Sequence, residues 1–114
     1  MAFSEIEMHL IDRTVGGMCR RRNRPEIKDE LSLEYTVDRH DVVIFERRRG
    51  YRPELGLIES PIAKLKYVRG IGEWRLYWMR QDLKWHGYEP LPSSERLEEL
   101  VAEIDEDSYA CFFG

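Results

Sequence analysis

The stretch Ile62-Ala63-Lys64-Leu65-Lys66-Tyr67-Val68-Arg69-Gly70-Ile71-Gly72-Glu73-Trp74-Arg75-Leu76-Tyr77-Trp78-Met79-Arg80 decides the fold. On both sides of Gly70-Ile71-Gly72 the side chains alternate. Ala63, Leu65 and Tyr67 share one face and Lys64 and Lys66 the other. Past the turn, Trp74, Leu76 and Trp78 oppose Arg75 and Tyr77. A period of two predicts half-buried strands over 62–69 and 73–80, and the glycines supply the positive φ a tight turn needs. Upstream, Leu31, Leu33, Tyr35 and Val37 alternate with Ser32, Glu34 and Thr36. A polar turn over 38–41 then leads into Val42-Val43-Ile44-Phe45, a more buried strand that runs out into Glu46 and three arginines. These two form a hairpin. Residues 50–61, with two Gly and two Pro and no period, read as a loop. Four such strands in succession predict an antiparallel meander.

Helices flank the strands. Ser4 with Glu7 is a capping box, and Phe3 and Met8 stand where a hydrophobic staple belongs. Ile6, Leu10, Ile11, Val15, Met18 and Cys19 then follow helical spacing through residue 22. Gly16-Gly17 costs this helix about 1 kcal/mol per Gly relative to Ala, and marks a close contact or a bend. At the other end Ser93 or Ser94 is the expected cap of a helix carrying Leu97, Leu100, Val101 and Ile104. Residues 82–92 read as irregular. The apolar tail 108–114 is expected to pack on the body, with an edge strand as one form and exchange between chains left open. The predicted architecture is α+β in the order α-β-β-β-β-α: a four-stranded antiparallel sheet with both helices on one face.

At 114 residues the chain has room for a single domain over 1–114. A hydrophobic fraction of 42% supports a packed core. Two cysteines, Cys19 and Cys111, make no disulfide framework and no zinc-finger spacing. No apolar run reaches the roughly 20 residues of a membrane span, and the N-terminus lacks a secretory pattern, so a cytoplasmic protein is expected. Cys111-Phe112-Phe113-Gly114 has the outline of a prenylation box, but Gly is an atypical last residue and the preceding segment is acidic. The net charge of −4 conceals a split. Residues 93–107 hold seven acids against Arg96, leaving a nearly balanced, Arg-rich body.

Four features bear on chemistry. Arg20–Arg22 with Arg24, and Arg47, Arg48 and Arg49 with Arg52, are dense basic groups suited to anions, or simply to a helix end and a strand edge. The acids at the end of the last helix oppose its dipole and call for a cationic partner, an Arg cluster of this chain or of a second copy, or else form a solvated acidic face. Tyr77 among Lys64, Lys66 and Arg75 on an open sheet face suits stacking of a base, and Trp85, His86 and Tyr88 beyond it are either a lid on the core or exposed anchors for a partner. His9, His40 and His86 have no metal-ligand spacing. His86 with Asp82 and Glu89 forms an acid/base or metal set only if the loop folds them together.

Three segments carry a resemblance: Met1-Ala2-Phe3-Ser4-Glu5, Trp78-Met79-Arg80-Gln81-Asp82-Leu83-Lys84-Trp85-His86-Gly87-Tyr88-Glu89-Pro90, and Asp105-Glu106-Asp107-Ser108-Tyr109-Ala110-Cys111-Phe112-Phe113-Gly114. In them the chain resembles a family of short bacterial proteins catalogued as domain of unknown function, number three thousand and twenty-four. The resemblance implies a bacterial stand-alone domain with a structural tail on a complete chain. It implies no activity, cofactor or site residue.

The expected function is a non-enzymatic interaction or self-association module without cofactor or metal, its partner itself or another protein. The alternative is a nucleic-acid binder using Lys64, Lys66, Arg75 and Tyr77 with the Arg clusters. A second alternative is a small ribonuclease-like toxin with Arg69, Arg75 and His86 as candidates, a reading by fold analogy.

Overall fold

The computed structural model describes residues 2–50 and 52–114. Tyr51, within the expected loop, and Met1 lie outside the described residues. The chain opens with one helical run. Helix α1 (Glu5–Ile11) passes through a π-helical turn at Asp12–Gly16 into helix α2 (Gly17–Arg22). The Ser4–Glu7 capping box is present in both directions. The continuous helix expected over 4–22 is thus interrupted. The π turn falls on the weak Gly16-Gly17 step, and Gly16 lets the ring of Tyr35 approach: a Cβ there would lie 3.2 Å from Tyr35 Cε1 and 2.8 Å from Asp12 Oδ1. Ile11, Val15, Met18 and Cys19 are buried as their spacing predicts, whereas Ile6 of the same expected stripe is exposed.

Four long strands follow: β1 (Leu31–Asp38), β2 (Asp41–Arg49), β3 (Leu57–Val68) and β4 (Glu73–Met79). They pair in sequence order, each antiparallel to the next. Strand β3 starts earlier than the sequence pattern suggests, because Pro61 does not end it. Phe45 pairs with Pro61 and Ile44 with Ala63, so Ile62 is the extra residue of a bulge. A bulge is where a strand tolerates a proline, and it interrupts the alternation by which a strand is recognised.

The sheet has six strands, not four. Strands β5 (Trp85–Gly87) and β6 (Ser93–Ser94) both pair with the free side of β4, at opposite ends of it. Segment 82–92, expected to be irregular, holds β5. Ser93 and Ser94 form β6 rather than a helix cap. Helix α3 (Leu97–Glu106) starts at Arg96, which makes no side-chain cap. No helix of the described chain is long and apolar enough to cross a membrane.

One core cluster joins the helices to one sheet face. Ile11, Val15, Met18, Leu100 and Ile104 pack with Val42, Ile44, Ala63, Leu65 and Leu76, all fully buried. The tail is not an edge strand. Asp107 adopts a left-handed conformation (φ 48°, ψ 50°), and its carboxylate accepts hydrogen bonds from Phe112 N (3.0 Å) and Phe113 N (2.8 Å). This loop buries Phe112 against Tyr88 of the same chain, with ring centroids 5.0 Å apart.

Candidate functional site

Register decides which predicted residues meet. On β3 and β4, Lys64 pairs with Tyr77 and Lys66 with Arg75, and Met79 pairs with Trp85 of β5. Alternation puts all of them on the sheet face turned away from the helices. None of Val43, Phe45, Lys64, Lys66, Arg75, Tyr77, Met79 or Trp85 belongs to the core cluster. Lys64 lies between two rings, its Nζ 5.2 Å from the Tyr77 centroid and 5.4 Å from that of Trp85. An ammonium on aromatic faces contributes about 0.5–2 kcal/mol, so this cation is already engaged by its neighbours in the unbound protein. Of the predicted set, Lys64, Lys66, Arg75, Tyr77 and Trp85 come together.

The arginine run on β2 does not form one patch, because a strand sends successive side chains to opposite faces. Arg47 and Arg49 lie on the open face and Arg48 on the other. Arg47 is ion-paired to Glu34 (3.1 Å) and Glu59 (3.2 Å), and its guanidinium lies 5.7 Å from the ring of Phe45. Phe45 is buried although it is outside the main core. Arg75 is paired to Glu73 at 3.5 Å. The open face therefore has Val43, Phe45, Tyr77, Met79 and Trp85 around Lys64, flanked by the ion-paired Arg47 and Arg75 and by Lys66 and Arg49, which are in no ion pair among the described residues. It is a mixed surface rather than a basic stripe.

His86 and Tyr88 are elsewhere. His86 pairs with Trp78, on the opposite side of β5 from Trp85. Its Nε2 is 2.8 Å from Asp82 Oδ2, and this bond together with Lys84 N–H holds the Asp82 carboxyl below its ordinary range. The loop thus joins two of the three expected members, and Glu89 is not hydrogen-bonded to either. A cleft of about 380 Å³ beside them is lined by Trp78, Arg80, His86, Glu89 and Cys111. Burial and the nearby Asp107 push the Cys111 thiol up, and it donates to Tyr109 O rather than to His86. The thiol is therefore protonated at neutral pH and is not paired with the imidazole as a nucleophile would be. Among the described residues no group of three or more His, Cys, Asp and Glu side chains is placed to hold a metal ion.

Tyr88 corrects the predicted binding surface. It is fully buried, its hydroxyl donates to Glu103 Oε1 at 3.1 Å, and burial followed by that bond raises its pKa. Of the two roles its place past the strand allows, lid on the core and exposed anchor, the structure shows the first. Helix α3 and the tail close over it, through Glu103 and Phe112. The residues Arg69, Arg75 and His86 do not converge. Arg69 is bound by two nitrogens to Glu7 (2.9 and 3.1 Å), while Arg75 and His86 lie on opposite sheet faces.

The acidic helix finds its cations within the chain. Asp105 is 2.8 Å from Arg22 and 3.5 Å from Arg21. Arg22 also lies 3.7 Å over the ring of Phe113. Arg21 and Arg22 thus clasp the end of α3, Arg20 is paired to Asp12, and Arg24 is in no ion pair among the described residues.

A family model described as a domain of unknown function (DUF3024) matches residues 3–114. No curated protein and no solved structure matches the chain.

Proposed function

We propose, for a chain that belongs to the domain-of-unknown-function family DUF3024, a non-enzymatic role in which the uncovered sheet face docks another protein. The observation that carries this reading is the composition of the face: aromatic and aliphatic side chains around Lys64, with a charged rim that is ion-paired in part. Protein interfaces have this anatomy, enriched in Tyr, Trp, Met and Arg, with charge at the edge. Tyr77 and Trp85 are the anchors, and Lys64 spaces their rings. Phosphate recognition needs cations free to displace counterions, and here Arg47 and Arg75 are held by carboxylates, which leaves Lys66 and Arg49 as the cations of this face in no ion pair among the described residues. That favours a protein partner over a nucleic acid.

The test is site-specific photo-crosslinking in cells that make the protein. A photoreactive residue at position 77 is expected to yield a discrete protein adduct that weakens in the Trp85→Ala background. The same group at the exposed position 98 on α3 should yield none. A nucleic-acid adduct at 77, or equal labelling from 77 and 98, overturns the reading.

A further inference from the structure

We infer that the outward face of α1 is a self-association surface on which a second copy of this chain docks antiparallel, a contact separate from the sheet face. Five residues form a shallow groove along this helix and the π turn that continues it: Glu5, Ile6, His9, Leu10 and Arg13. Their spacing puts them on one helical stripe. Ile6 is 84% exposed, the highest value among the exposed large hydrophobic side chains of the described residues. Leu10 is half-buried beside it and touches the core from its other side. An isoleucine this exposed, next to a leucine and in the first turn of a well-capped helix, is an apolar surface without a partner among the described residues.

The charges on the stripe say which occupant fits. Among the described residues, Glu7 and Asp12 are ion-paired within the chain, to Arg69 and Arg20, whereas Glu5 and Arg13 are in no ion pair. Glu5 and Arg13 stand four residues to either side of His9, about 6 Å along the axis in each direction. A two-fold axis at His9 therefore sets Glu5 of each copy against Arg13 of the other. The same operation seats Ile6 between Leu10 and the aliphatic stem of Arg13 on the second helix. The order acid, apolar, His, apolar, base is its own complement when reversed, with His9 meeting His9 of the second copy on the axis, as an isologous contact requires. A parallel helix would place like charges side by side. One short stripe buries less than a standard interface, so the dimer is weak and concentration-dependent.

Sedimentation equilibrium on the full chain, from micromolar to millimolar concentration, tests this. The mass is expected to rise from 13.7 kDa toward twice that value. Ile6→Asp, at a site exposed enough to leave the fold intact, should weaken association by about tenfold or more. Glu5→Arg and Arg13→Glu should each weaken it, and the double reversal should restore it. A mass fixed at the monomer value, a dimer indifferent to Ile6→Asp, or a double reversal that fails to recover each overturns the inference.

Discussion

Two adjacent glycines show how far a residue's role depends on what approaches it. At Gly16 an added Cβ meets Asp12 Oδ1 at 2.8 Å and the Tyr35 ring at 3.2 Å. At Gly17 the nearest atom is Arg21 Nη1 at 3.6 Å, an ordinary contact. Gly16→Ala must therefore displace the Asp12 carboxylate from its bonds to Tyr35 (2.8 Å) and Arg20 (3.3 Å). It is expected to cost about 1–3 kcal/mol. Gly17→Ala carries only the helix-propensity gain, up to about 1 kcal/mol of stabilisation. Urea unfolding of the pair should show midpoints on opposite sides of the wild type. Glu7 gives a second residue-scale prediction. Hydrogen bonds from Arg69, and then from Ser4 N–H, hold its carboxyl at about 2 against an ordinary 4.5. A carboxylate depressed on folding adds stability that is present in full above its unfolded value and is lost as pH falls through the folded one. Relative to Glu7→Gln, the wild type should thus keep a constant advantage above pH 4.5 that shrinks between 4.5 and 2. Paired urea titrations across that range would show it, and an advantage that persists at the acid end would contradict it.

At the scale of elements, the unsupported start of α3 is a site for improvement. Arg96 has extended N-cap geometry (φ −110°, ψ 113°), yet its side chain accepts nothing from the first turn. Its contact with Glu99 is long, at 3.9 Å, and both groups are exposed, so losing it costs little. Arg96→Ser places a hydroxyl where the free N–H groups point and should raise stability by about 0.5–1 kcal/mol, read as a higher unfolding midpoint. The same helix start marks the limit of what the sequence discloses. Ser93 and Ser94 have the chemistry of caps, but β4 offers an unpaired edge, and pairing with Trp74 and Arg75 takes them first. Strand β5 is three residues long, the last of them Gly87, too short for a period to register. The Pro61 bulge masks the first half of β3 because it inserts a residue into the alternation. Strands β1, β2 and β4 are legible because each repeats its signal over several residues, and the capping box because Ser4 and Glu7 stand at its fixed spacing. For the candidate site, alternation alone places Lys64, Lys66, Arg75 and Tyr77 together. The burial of Tyr88 and the ion pairing of Arg47 depend on contacts far apart in sequence, which no local pattern encodes.

Across the whole molecule, the charge split seen in the sequence is bridged at one point, Asp105. The first and last helical segments meet where Arg22 binds Asp105 and covers Phe113, a contact spanning most of the chain. Three of the acids near the end of α3, which oppose its dipole, have partners: Asp105 binds Arg21 and Arg22, Glu103 accepts from Tyr88, and Asp107 holds the tail. The cation on the Phe113 ring then ties the tail to α2 as well as to α3, so the two ends should be energetically coupled. A double-mutant cycle distinguishes this coupling from the independent packing of each residue. Arg22→Met keeps the stem and removes the charge, whereas Phe113→Leu keeps apolar volume and removes the π face. Each single change should destabilise, and the pair should cost less than the sum, with a coupling of about 0.5–1 kcal/mol for this part-exposed geometry. The same cycle between Arg21→Met and Phe113→Leu should give a coupling near zero, since Arg21 contacts Asp105 but not the ring. Equal coupling from both arginines would mean that the tail senses only the net charge of α2, and the closure would then be a field effect rather than a contact.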